Sequence, residues 1–236
     1  MKKEIERFAR LFRGLNRAYG ALDITTKDAR GKQKGIYKFV HEPRTTATYA
    51  SHLKGEVSIG VVPINEDDAC LWGAIDIDQY PLDHSEVLKR LSRLELPLVV
   101  CRSKSGGAHL YLFFKEFVEA EKVQLKLKEI AAEIGYGGCE IFPKQIKLVL
   151  ERGDNGNFLN LPYFDHEGGL RYAFNKDGSA ATIAEFLDQA EASAITEDQL
   201  EGLLSKSVPV VDDKLKDGPP CLQALLRQGF PEGTRN

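Results

Sequence analysis

No run of about 18 consecutive apolar residues occurs in the 236-residue chain, so no membrane-spanning helix is expected. Charge of one sign is not in excess either. Lys and Arg number 32 against 35 Asp and Glu, a net of −3. Proteins that coat nucleic acid are usually strongly basic, and the total argues against that class. Cysteine is scarce: Cys70, Cys101, Cys139 and Cys221 are scattered, with no CxxC pair and no Cys/His cluster. That pattern excludes a common zinc motif and a disulfide framework, and the four read as small thiols in a reducing cytoplasm. The start, Met1-Lys2-Lys3-Glu4, has charge but no apolar stretch behind it, so no signal peptide is expected. Internal repeats and low-complexity tracts are missing too. At 42% hydrophobic and 28% charged, the composition is that of a folded chain, long enough for one large domain or two small ones.

The charge is unevenly spread. Residues 1–44 hold 12 basic against 5 acidic residues, net +7, and the remainder holds 20 against 30, net −10. A basic first fifth on an acidic body points to a local anionic partner. Ile5, Phe8, Leu11, Phe12 and Leu15 recur at helical spacing, which predicts a helix from Lys3 to about Leu15. Residues 27–35 read as an exposed basic loop, 36–40 as a strand, and 46–53 as a short helix. Strands are predicted at 57–64, 71–78, 96–101 and 109–114, then at 139–142, 146–150 and 158–164. Amphipathic helices are predicted over 85–94, capped by Asp83, and over 119–134, with two more after about Ala180. This order predicts an α+β fold with a mixed sheet rather than a doubly wound one. Residues 205–218 read as a linker.

The most informative segment is Gly73-Ala74-Ile75-Asp76-Ile77-Asp78. Residues i and i+2 of a strand share a face, so Asp76 and Asp78 project together while Ile75 and Ile77 project to the opposite, buried side. Paired carboxylates repel, and a divalent cation between them is the usual remedy. A solvated strand end accommodates the same residues. Arg102-Ser103-Lys104-Ser105-Gly106-Gly107-Ala108-His109 follows an apolar strand. It supplies what a triphosphate needs: N–H groups opened by glycine, two hydroxyls, and the charges of Arg102 and Lys104. It is not a Walker A loop, because GxxxxGK(S/T) is missing. A plain hairpin turn with a surface histidine is the alternative.

Together GAIDID, SKSGGAH, EIFPKQ and GNFLNLPYF resemble the catalytic core of the archaeo-eukaryotic primase superfamily, most of all its phage- and mobile-element-borne primase-polymerases. The resemblance covers roughly residues 10–175 and the last 18. It implies a bilobed α+β core, an RRM-like mixed sheet packed on a second α/β half, and two-metal nucleotidyl transfer with Mg²⁺ or Mn²⁺. By resemblance, Asp76 and Asp78 are metal ligands and Glu140 takes the third acidic position. Ser103, Ser105 and His109 hold the incoming triphosphate, with His109 in the catalytic set. Lys144 and Asn160 fall in motifs that contact nucleotide, and Lys104, Gly106 and Asn157 are weaker candidates.

Phe12-Arg13-Gly14 and Tyr19-Gly20 resemble the start of the same group. Residues 219–236 resemble the beginning of a helical accessory domain, which implies a longer protein with a C-terminal helical or helicase part. The expected division is a catalytic domain over 1–204, a linker over 205–218, and that start over 219–236. The expected partners are a single-stranded DNA template and dNTPs or NTPs, in the cytoplasm of a bacterial host. Arg13, Arg17, Arg30, Lys32 and Lys34 are candidate template contacts. The competing readings are a metal-dependent nuclease and a non-catalytic template- or nucleotide-binding initiator domain.

Overall fold

The computed structural model describes residues 1–27 and 33–204. The chain divides into two compact units, Met1–Leu203 and Leu204–Asn236, and of the second only Leu204 is described. Arg30, Lys32, Cys221 and the segments 205–218 and 219–236 therefore lie outside the described residues. Lys34 is described in its backbone alone.

Helix α1 spans Lys2–Leu11 and buries Ile5 and Phe8. It stops short of the expected Leu15 because Gly14 must pass against another segment. Leu15 N–H donates to the Val62 carbonyl at 3.0 Å, and a Cβ on Gly14 would lie 2.0 Å from that oxygen. Strands β1 (Tyr19–Lys27) and β2 (Gln33–Val40) then form a hairpin. Of the basic loop expected over 27–35, Lys27 thus belongs to β1 and residues 33–35 to β2, and residues 28–32 lie outside the described residues. Helix α2 (Thr46–Leu53) follows, opened by a Thr45/Thr48 capping box.

The first sheet has the order β2-β1-β3-β8, with β3 at Ile59–Val61 and β8 at Leu159–Asn160. The second contains β4 (Ala69–Ile77), β5 (Val99–Arg102), β6 (Ala108–Glu119) and β7 (Glu140–Phe142), in the order β5-β6-β4-β7. Helix α3 (His84–Arg93) lies between β4 and β5 in sequence, and α4 (Ala120–Glu133) between β6 and β7. The succession β-α-β-β-α-β in this spatial order is the ferredoxin-like, RRM-like arrangement. Every ladder in both sheets is antiparallel, so neither sheet is mixed as expected. Helices α5 (Ile183–Ser193) and α6 (Glu197–Gly202) complete the unit, each with a threonine capping box.

The expected strand over 146–150 is not formed. There the Leu148 N–H donates to Asp68 Oδ1 at 2.8 Å, and the Val149 N–H to Asp154 Oδ2 at 3.3 Å. Carboxylates, not a neighbouring strand, satisfy that backbone, and Ile146 and Val149 are exposed despite their β-propensity. The expected strand over 158–164 contracts to two residues, β8.

The two sheets enclose one core. Ile59, Val61, Leu159 and Leu161 of the first meet Trp72, Ala74, Tyr111 and Phe113 of the second, with Phe8, Phe12 and Phe186 from helical segments. Phe12 presents its edge to Trp72, Tyr111 and Phe113 at centroid distances of 5.4, 5.4 and 5.7 Å. The other face of β4 carries Gly73, Ile75 and Ile77. A Cβ on Gly73 would come within 2.7 Å of Val123 and Leu127, so glycine lets α4 approach.

His52 of α2 is fully buried and braces the first sheet. Its Nδ1 accepts from the Ile59 N–H at 3.1 Å, so Nε2 carries the hydrogen donated to the Pro162 carbonyl at 2.8 Å. Burial drives its pKa down to about 3. The unfolded side chain titrates near 6.5, so its contribution to stability is complete above that pH and drains away below it. We expect His52→Asn to be less stable than the wild type at pH 7.5, and that deficit to shrink by roughly 2 kcal/mol at pH 4.5. Denaturant titrations at the two pH values measure it.

Candidate active site

The site is built at one end of the second sheet, on the three adjacent strands β6, β4 and β7. Asp76 near the end of β4 is in register with His109 on β6 and with Glu140 at the start of β7. Asp76 shares its strand face with Trp72 and Ala74, the face that meets the first sheet. Where those two are buried in the core, Asp76 emerges at its rim, half-buried. Ile75 and Ile77 are fully buried on the helix side, as the alternation predicts. Asp78 lies one residue beyond the strand and is exposed, and Tyr80 OH donates to its Oδ1 at 2.8 Å.

Asp76 Oδ1 is a buried acceptor with no hydrogen-bond donor. Loss of hydration, and secondarily the negative charges of Asp78 and Glu140, push its pKa up to about 7, against a pull from Lys144. His109 Nε2 lies 3.4 Å from that same oxygen. Burial, reinforced by the positive charge of Arg171, takes the pKa of His109 down to about 4, so its ring is neutral at pH 7. The His109 Nδ1 lies 3.2 Å from Tyr111 OH, which donates to the Asn160 carbonyl at 3.3 Å.

The Ser/Gly loop closes tightly beside this row. The Ser103 N–H donates to the Gly107 carbonyl at 2.9 Å, the Gly106 N–H returns to the Ser103 carbonyl at 3.2 Å, and Gly106 has φ +99°. Gly107 is pressed against β4, where a Cβ would lie 2.2 Å from the Ile77 carbonyl oxygen. Ser103 is 6% exposed and its Oγ has no partner. Lys104 and Ser105 point to solvent at the tip. Buried polar atoms are nearly always hydrogen-bonded, so two such orphans at one strand end mark a place for a ligand.

Other expected site residues are engaged with protein partners. Lys144 Nζ pairs with Glu140 Oε2 at 2.7 Å and lies over the Phe142 ring. Asn157 is clipped to Gln145: its N–H donates to Gln145 Oε1 at 2.9 Å, and its Oδ1 accepts from Gln145 Nε2. The clip fastens the EIFPKQ and GNFLNLP segments to each other. Asn160 Oδ1 is buried without a partner. Arg13 is exposed, with its guanidinium over Phe117, and its carbonyl accepts from Trp72 Nε1. Arg17 donates to the Asp154 carbonyl.

Two residues carry weight that the sequence did not advertise. Arg171 is 7% exposed, and its Nη1 donates to Ser58 Oγ at 2.9 Å. Tyr111 reads in the sequence as strand core, although its i+2 spacing from His109 puts the two on one face. As for a divalent ion, no group of three His, Cys, Asp or Glu residues that could hold one is gathered among the described residues. The orphaned Asp76 oxygen and the adjacent Asp78 nevertheless fit a cation of the Mg²⁺ or Mn²⁺ type, whereas Glu140 is already neutralised by Lys144.

An ionised Asp76 is disfavoured by the fold. With its pKa raised above the unfolded value, the penalty is complete above pH 7 and fades as the carboxyl protonates toward pH 4. Asp76→Asn should therefore raise the melting temperature by several degrees at pH 8 and by much less at pH 5, as scanning calorimetry would read.

Among known proteins, the family model described as "TOTE conflict system, Archaeo-Eukaryotic Primase domain" matches residues 22–203. No curated protein sequence matches the chain. Similar solved structures include the archaeo-eukaryotic primase domain of the cyanophage S-2L primase-polymerase, at 14% identity and TM-score 0.44, covering 80% of this chain and 98% of that one. Primase RepB′ aligns at 14% identity and TM-score 0.42, with 85% of this chain and 63% of that one covered, so the alignment spans less than two thirds of RepB′. The catalytic domain of RepB′ in complex with initiator DNA aligns at 11% identity and TM-score 0.40, over 87% and 98%. The assignment rests on the family model, whose match runs from β1 to the end of α6. The chain belongs to the archaeo-eukaryotic primase domain family of TOTE conflict systems.

Proposed function

We propose that this domain is a template-directed nucleotidyltransferase, a DNA primase-polymerase that joins the α-phosphate of a dNTP or NTP to a 3′-hydroxyl and releases pyrophosphate. The reading is carried by the orphaned Asp76 oxygen at the rim between the two sheets, level with His109 and Glu140 and beside the unpartnered Ser103 hydroxyl. A buried carboxylate that raises its own pKa for want of a partner is costly, and such costs concentrate at functional sites. A divalent ion, Mg²⁺ or Mn²⁺, held by Asp76 and Asp78 would offset the charge of the triphosphate and of the leaving pyrophosphate. Glu140 joins those two only by giving up Lys144.

The chain's own residues then position and neutralise. The Ser103 hydroxyl holds a phosphate oxygen, with Lys104 and Ser105 at the exposed outer lip of the loop supplying charge and a hydroxyl. Lys144, once released from Glu140, is a further cation for phosphate. Asn160 Oδ1 offers an acceptor to a ligand donor, and Asn157 keeps its loop in place through Gln145. Exposed Arg13, together with Arg17 and the basic residues Arg30, Lys32 and Lys34, is a track for a single-stranded DNA template. The family description names a conflict system, so we place the synthesis in that setting rather than in chromosome replication.

The ion pair that Lys144 makes with Glu140, the third acidic residue of the row, favours one second reading, a nucleotide-binding domain without turnover. Primer extension with dNTPs and NTPs on a single-stranded template, with Mg²⁺ or Mn²⁺, separates the two. We expect extension by the wild type and none by Asp76→Ala/Asp78→Ala, whose circular dichroism spectrum should remain that of the wild type. Equal incorporation by the double variant would sink the assignment. For the phosphate loop, Ser103→Ala should weaken Mn²⁺-dependent dATP binding about 3- to 10-fold by calorimetry, with affinity for single-stranded DNA unchanged.

A further inference from the structure

The contacts of Tyr111 decide which nitrogen of His109 carries the hydrogen. A phenol has one hydrogen to give. A backbone carbonyl can only accept, so at the Asn160 oxygen, 3.3 Å away, Tyr111 OH is the donor. Its hydrogen is thereby used, and the 3.2 Å contact to His109 Nδ1 must be an N–H donated by the imidazole to the phenol oxygen.

The phenol itself is held in place. Tyr111 is fully buried, stacked on Phe113 at 5.8 Å, met edge-on by Phe12 at 5.4 Å and tilted against Trp72 at 5.7 Å. Its hydroxyl therefore stands at a fixed point between β6 and β8, and the hydrogen bond aims the His109 ring from behind.

With its hydrogen on Nδ1, the ring turns a bare Nε2 lone pair toward the Asp76 side of the site, where Oδ1 lies 3.4 Å away. That nitrogen has no hydrogen to give a phosphate oxygen, which is itself an acceptor, and it welcomes a group that brings one.

We propose that Tyr111 is a positioning residue that fixes His109 in its Nδ1–H form, so that Nε2 accepts a hydrogen bond from a sugar hydroxyl of the bound nucleotide rather than donating one to its phosphates. This rests on the nucleotide-binding reading above and alters one part of it: resemblance alone puts His109 on the triphosphate. Phosphate is left to the Ser/Gly loop and to the cations, which have hydrogens to give. The Asn160 carbonyl, which belongs to the first sheet, ties the device to both halves of the site.

Long-range ¹⁵N–¹H NMR of histidine-labelled protein at pH 7.5 reads the tautomer directly, with His109→Asn identifying the His109 signals. The wild type should show the Nδ1–H form at His109, and Tyr111→Phe should shift it toward Nε2–H. In parallel, calorimetry with Mn²⁺ compares dATP with inorganic triphosphate, which has no sugar. Tyr111→Phe should weaken dATP about 3- to 10-fold and leave inorganic triphosphate within about twofold. A merely structural tyrosine would lower thermal stability and weaken both ligands alike, without moving the tautomer. An Nε2–H form in the wild type, an unchanged tautomer in Tyr111→Phe, or equal losses for the two ligands would overturn the proposal. Should Tyr111→Phe fail to fold, His109→Asn carries the ligand comparison, since its amide can still donate to Tyr111 while lacking the Nε2 acceptor. Failure of the wild type to bind either ligand would instead defeat the nucleotide reading, with the tautomer result standing apart from it.

Discussion

The packing of Phe12 against Trp72, Tyr111 and Phe113 is the contact on which the rest of the unit depends. Those rings fill the space between the two antiparallel sheets, and two of them, Trp72 and Tyr111, leave that core with a polar end directed outward. Trp72 donates its indole N–H to the Arg13 carbonyl, and Tyr111 sends its hydroxyl to the rim. Close aromatic packing is stiff because interiors are as dense as organic crystals. A group fixed to such a core inherits its rigidity, which is why a site built on β4, β6 and β7 can hold side chains in one arrangement without a ligand.

That rigidity has a cost at Asp76. One of its oxygens is buried without a donor, and its charge is opposed by two nearby carboxylates. The fold is evidently stable enough to carry this, given the helices packed on one face of the second sheet and the first sheet on the other. Lys144 relieves Glu140 and, more weakly, Asp76 itself. The charge balance of the chain makes sense in these terms. A net of −3 conceals a basic first fifth and a cluster of carboxylates at the rim of the second sheet, so a near-neutral total says little about a nucleic-acid partner.

Much of the fold was legible residue by residue. The Asp83 cap, the stripe Val123, Leu127 and Ile130, and the alternation around Ile75 and Ile77 placed α3, α4 and β4 within two residues or so. Those signals are local: a cap or a periodicity depends on the chain's own neighbours. The misses were not local. The segment 146–150 is as β-branched as a strand should be, yet Asp68 and Asp154 take up its N–H groups. Helix α1 ends early because the Val62 carbonyl occupies the space beside Gly14.

The same division runs through the site. The residue types and their order along the chain, Asp76 and Asp78, then the Ser103–His109 loop, then Glu140, were determined by the sequence itself, because strand alternation and loop chemistry are properties of neighbouring residues. Which of them meet was decided by tertiary structure. Antiparallel register alone brings Asp76 level with His109 and Glu140, and burial between sheets alone leaves its oxygen unpartnered. Lys144 turned out to face Glu140, Asn157 to face Gln145, and Tyr111, silent in the sequence, to face His109. Spacing along a chain does not encode such pairings: these partners are near in sequence, but which side chain turns toward which is set by the strands and loops that the closed sheets hold in place, and the register of Asp76 with His109 and Glu140 joins segments that are far apart in the chain.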